Sequence, residues 1–99
     1  MTTRFAVSVA ELHIPGARSL KEKRSVVQGL IARIHRRCRA SVAEIGLQDK
    51  HQRAEIGIAL VHGDPRELER LLGAIEEILM SSPEAMLLSW NAEKLDTGP

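Results

Sequence analysis

Two spacings of hydrophobic residues alternate along this chain. Residues 5–14 are rich in β-formers and stop at Pro15-Gly16, a turn signal that predicts a first strand. The apolar positions then open to helical spacing: Leu20, Val27, Leu30, Ile31, Ile34 and Cys38 fall on one arc at about 100° per residue. Ser19, followed three residues later by Glu22, has the form of a capping box, in which hydroxyl and carboxylate satisfy free amides of a helix's first turn. A helix is therefore expected to run to about Arg37, with one face that needs a sheet beneath it.

Strand-like spacing returns at Ala40–Ile45, closed by Gly46, and again, after the polar link Gln48–Gln52, at Arg53–His62. In that third strand Ala54, Ile56, Ile58 and Leu60 alternate with Glu55, Gly57, Ala59 and Val61, so one side is bulky and the other mostly small. Asp64-Pro65 with Glu67 starts a second helix, with Asp as N-cap, Pro preset for the first helical position and Glu near the positive end of the dipole. Its stripe is Leu68, Leu71, Leu72, Ile75 and Leu79. Ser81-Ser82-Pro83 ends it, and Ala85–Trp90 supplies a last strand ahead of a polar C-terminal tail from about residue 95. The order β-α-β-β-α-β predicts an α+β ferredoxin-like plait, a four-stranded antiparallel sheet with two helices on one face. The other face is left open, and such a fold does not by itself select a function.

Composition narrows the picture. A chain of 99 residues with 43% hydrophobic content fits one domain over residues 1–99. Phe5 and Trp90 are the only aromatic residues, so the core is aliphatic and the central strands lack the paired rings on which RNA-recognition modules stack bases. Cys38 is the only cysteine, which rules out an intramolecular disulfide and agrees with a reducing compartment, the cytoplasm by default. No apolar run approaches the ~20 residues that span a bilayer, so neither export nor a membrane partner is predicted.

Charge is uneven although the formal net charge is only +1. Residues 18–39 carry eight Lys/Arg against the single acid Glu22, while residues 64–99 carry eight acids against three bases. Attraction to a polyanion would therefore depend on a face rather than on the overall balance. On a helical wheel Lys21, Arg33, Arg36 and Arg39 project opposite the apolar stripe, with Arg18 and Arg24 flanking them. Guanidinium groups suit phosphate oxygens through paired hydrogen bonds. A charged outer face is also the ordinary way to solvate a helix, and the sequence leaves both readings open.

Several of these residues lie in segments that resemble a known family. Ile14 to Arg24, Ser41 to Ile45, and Gln48-Asp49 with Gln52-Arg53-Ala54 are similar to the YlxP-like bacterial family, a domain of unknown function, over nearly the whole chain. Ser19-Leu20-Lys21-Glu22-Lys23-Arg24 is the most specific part. In that family the position of His51 is usually tryptophan. The resemblance implies a ferredoxin-like fold and a cytoplasmic bacterial protein. Because members are often encoded beside translation-initiation and ribosome-maturation genes, it also implies a link to ribosomes or RNA. It carries over no catalytic residue.

Lys23 falls inside the apolar arc of the first helix, where an unpaired ammonium is costly. Its stem is expected to run along the sheet toward Glu11, Glu44 or a strand-end carbonyl. Alternatively, Lys23, Glu44, Asp49, Gln52 and Arg53, with Arg24 nearby, gather into a small polar site at one end of the sheet. His35 and Cys38 do not complete a tetrahedral metal set, no nucleophile has a positioned base, Glu76-Glu77 reads as an exposed acidic face, and the glycines form no phosphate-cradling loop. No cofactor is predicted. The sequence thus points to a binding protein rather than an enzyme, with RNA or the ribosome as partner. The alternatives are a homo-oligomer, a dimer closed through the open sheet face, and a regulator that binds a small ligand.

Overall fold

The structure, a computed structural model, describes residues 4–96. Six elements follow in the expected order: β1 Arg4–His13, α1 Leu20–Cys38, β2 Ser41–Gly46, β3 Arg53–Val61, α2 Pro65–Met80 and β4 Met86–Asp96. The strands form one sheet in the order β2-β3-β1-β4, and every neighbouring pair is antiparallel. Each helix thus joins two strands separated by a third, the split βαβ arrangement of a ferredoxin-like fold. Both helices end near their sequence signals, where the cap residues satisfy amides the helix leaves free. Ser19 Oγ accepts from Glu22 N at 3.1 Å, and Asp64 Oδ1 accepts from Arg66 N at 2.9 Å.

The core lies between the helices and one sheet face. Ala6, Ala10 and Leu12 of β1 and Ala54, Ile56, Ile58 and Leu60 of β3 meet Val27, Leu30 and Ile34 of α1 and Leu68, Leu72, Ile75 and Leu79 of α2. Small residues on β1 let the helices approach the sheet closely, while the bulk comes from β3 and the helices. Phe5, Val7 and Val9 face the other way, beside Val61, Ala59 and Gly57 of β3, and this face has no helix over it. At Gly57 a Cβ would lie 3.0 Å from Ile45 Cδ1, so the exposed Ile45 side chain that folds over it from β2 would have to shift.

The last strand is longer than its apolar pattern announced. Met86–Asp96 pairs with β1 from His13↔Met86 to Arg4↔Asp96, with a shift between Glu11 and Leu12. Asn91, Glu93 and Lys94 belong to this strand because β4 is an edge whose outer positions are solvated, so backbone pairing rather than apolar content sustains it. Leu95 and Asp96 are thus strand residues and not tail; the rest of the expected tail lies outside the described residues.

Candidate functional site

The basic surface is built on α1. Lys23, Val27, Leu30, Ile34 and Cys38 form the buried stripe, which turns Lys21, Arg33 and Arg36 toward solvent along a helix face of about 22 Å at 1.5 Å per residue. Arg18 and Arg24 are exposed on either side of the first turn. Arg39 departs from the wheel: it is the C-cap, in the left-handed region at φ 53°, and its N–H donates to His35 O. It presents its cation beyond the helix end rather than along the face. Arg33 leans across to Ser81 Oγ at 3.4 Å, so it also sets a positive charge at the carbonyl end of α2, whose last turn has no basic residue of its own. Among the described residues no carboxylate forms an ion pair with Arg18, Lys21, Arg24, Arg33, Arg36, Arg37 or Arg39. Arg37 is exposed with the others.

Lys23 sits below this surface and is fully buried, at 0% exposure. Its Nζ donates to Leu47 O at 2.9 Å and to Arg53 O at 3.1 Å, and reaches Gln48 O at 3.4 Å. Glu44 Oε2 lies 2.9 Å from the same nitrogen. Leu47 adopts φ 57°, a left-handed conformation that a leucine takes only under constraint. Its carbonyl accepts both from this ammonium and from Lys50 N at 3.0 Å. Burying the cation thus organises the β2–β3 turn around it.

Of the five residues of the polar cluster, Asp49, Gln52 and Arg53 border one cleft, and Lys23 and Glu44 pair apart from it. Lys23 and Glu44 form one centre, to which Arg53 contributes only its carbonyl. The Arg53 guanidinium instead pairs with Glu11 on the open face of the sheet. Gln52 Nε2 donates to Pro15 O and Ala17 O, both at 3.2 Å, clamping the β1–α1 turn. Asp49 is exposed on the β2–β3 turn, beside Lys50 and His51, and the sequence reading singled out neither of these neighbours as a contact. With four oxygens around three N–H bonds, the Lys23 ammonium has no donor left for a ligand.

Burial pushes the Cys38 thiol up, against the opposing pull of Arg37 and Arg70. His35 Nδ1 is 3.0 Å from Ala40 O, at the helix end. On α2, the hydrogen bond from Arg70 holds the Glu67 carboxyl below its ordinary range. Among the described residues no group of three or more His, Cys, Asp or Glu could hold a metal ion, and no helix is long and apolar enough to cross a membrane.

"Uncharacterized protein YlxP" of Bacillus subtilis (strain 168) is 38% identical to the chain over 74 residues, which is 75% of this chain and 80% of the relative. Among solved structures the chain is similar to 30S ribosomal protein S6 from Thermotoga maritima, with TM-score 0.45 and 14% identity over 94% of this chain and 88% of the other. It is similar also to a dimeric ferredoxin-like protein from an uncultured marine organism, with TM-score 0.45 and 9% identity over 96% of this chain and 95% of the other. The fold itself rests on the strand order and pairing described above. Residues 5–92 match the family described as "Protein of unknown function (DUF503)", and the chain belongs to that family.

Proposed function

We propose that this protein is a non-catalytic, cytoplasmic RNA-binding protein that holds RNA phosphates, those of the ribosome foremost, along the outer face of α1. The observation that carries this reading is the run of exposed, unpaired cations from Arg18 to Arg39 on a chain of net charge +1. Seven cations without carboxylate partners among the described residues repel one another when free, and an approaching phosphate backbone relieves that repulsion while releasing its own counterions. Lys21, Arg33 and Arg36 supply the central contacts, and Arg18, Arg24 and Arg39 the flanking ones. Co-sedimentation with ribosomal subunits and total RNA of the host, at low and high salt, tests it. Binding should be salt-sensitive and lost when Arg33, Arg36 and Arg39 are all changed to Glu. Equal sedimentation of the two forms would reject it.

A second reading is compatible with the first and is favoured by the open sheet face. Val7, Val9, Ile45 and Val61 are exposed there, Val61 at 68%, around the shallow floor made by Gly57 and Ala59. A second copy of the chain packed sheet to sheet would cover them and leave both basic helices pointing outward. Light scattering should then give a dimer mass that falls to the monomer mass in V9K/V61K. A wild-type mass that stays monomeric at all concentrations would remove this reading without touching the first.

A further inference from the structure

At one end of the sheet the β1–α1 and β2–β3 turns border an open cleft of about 570 Å³, with His13, Arg18, Asp49, Lys50, His51 and Arg53 around it. Its floor is held from several directions. Ile14 N donates to Gln52 O at 2.7 Å, the Gln52 amide clamps Pro15 O and Ala17 O, and Lys23 fastens Leu47 O and Arg53 O from beneath. The rim side chains therefore project from a fixed base, and little backbone ordering is left for a ligand to impose.

The charges of the rim are unequal. Arg53 is committed to Glu11, whereas Arg18 and Lys50 have no ion-pair partner among the described residues. Among the described residues Asp49 is the only carboxylate lining the cleft, and the imidazoles of His13 and His51 each offer an N–H. At the nearby N-terminus of α1, Ser19 Oγ caps Glu22 N and Glu22 Oε2 accepts from Arg18 N at 3.3 Å. The side chains of the rim are the groups offered to an anion here. An open cleft of this volume is within the size range of small-molecule sites.

We infer that this cleft is a phosphate-binding site that seats a nucleotide phosphate between Arg18 and Lys50, with His13 and His51 as further donors. The inference deepens the RNA reading and rests on it only for the source of the phosphate, because a phosphorylated RNA end and a free nucleotide present the same group. Arg18 belongs to both surfaces, so an RNA strand anchored in the cleft would continue toward Lys21 and Arg24.

Amide chemical-shift mapping of the full chain tests it, with AMP, a short single-stranded RNA carrying a 5′-phosphate, and the same RNA with a 5′-hydroxyl. AMP should move the amides of residues 17–18 and 49–53 in the wild type and equally in R33E/R36E, and R18E/K50E should weaken AMP binding at least about tenfold. Larger shifts at these amides with the 5′-phosphate RNA than with the 5′-hydroxyl RNA would assign the site to RNA ends; shifts with AMP and no difference between the RNAs would assign it to free nucleotide. Absence of shifts there with all three ligands, or an unchanged AMP affinity in a folded R18E/K50E, overturns the cleft. RNA shifts confined to α1 would overturn the cleft and leave the RNA reading standing, and AMP shifts in the cleft with no RNA binding would do the reverse.

Discussion

Lys23 holds a buried ammonium against the Glu44 carboxylate and the carbonyls of the β2–β3 turn, so its removal strands a charge and leaves acceptors unfilled. K23M is expected to cost about 3–5 kcal/mol. E44Q should cost less, about 1–3 kcal/mol, because the carbonyls still hold the ammonium. Urea denaturation of both variants checks the order, and equal losses would mean that the carbonyls contribute little. That Lys23 points inward was legible from its place in the apolar arc. Its choice of Glu44 over Glu11 was not, since it depends on which sheet face the helices cover: Glu11 lies on the open face, where Arg53 takes it, and Glu44 lies under α1. Cys38 makes a second prediction at this scale. Its folded thiol is raised by burial, so its contribution to stability is fully present below the ordinary thiol range, near pH 8.5, and is lost as pH rises through the folded value. The denaturation midpoint should fall as pH rises above the ordinary thiol range, and C38A should flatten that fall. An identical alkaline slope in C38A would assign it to other groups.

Elements start where their caps are. Ser19 and Asp64 each hold an amide of the first turn of their helix, and S19A and D64A should each lose about 1 kcal/mol, read as a lower melting temperature with the fold intact. An unchanged melting temperature would show that water replaces the cap without cost. These signals were legible because a cap and its amide lie within three residues of each other. The second half of β4 was not, because Asn91, Glu93 and Lys94 have no strand pattern of their own and are held by pairing with β1. Arg39 likewise looked like one more residue of the helix face until its left-handed cap geometry took it off that face.

The whole molecule separates its surfaces. The helices cover one side of the sheet, and α1 turns its cations away from that sheet, while Val7, Val9, Ile45 and Val61 look out from the opposite side. A net charge of +1 provides almost no general attraction to RNA, so the proposed binding through α1 would be local and salt-dependent. With about four phosphate contacts on a single strand, log affinity should fall with log salt at a slope of about −3, from ~0.7 per phosphate. Fluorescence anisotropy across a salt series measures it, and a flat response would exclude phosphate contacts as the source of affinity.

What the sequence determined by itself was the order of elements, the helix starts, the buried stripes, the inward lysine and the concentration of cations in residues 18–39. Each of these is written in spacing along the chain or in hydrogen bonds between residues a few positions apart. Tertiary structure alone decided which sheet face stays open, how far β4 extends, which carboxylate meets Lys23, and that Arg18 and Lys50 share a cleft. These depend on segments distant in sequence that the order β2-β3-β1-β4 brings side by side, and spacing along the chain has no term for that distance.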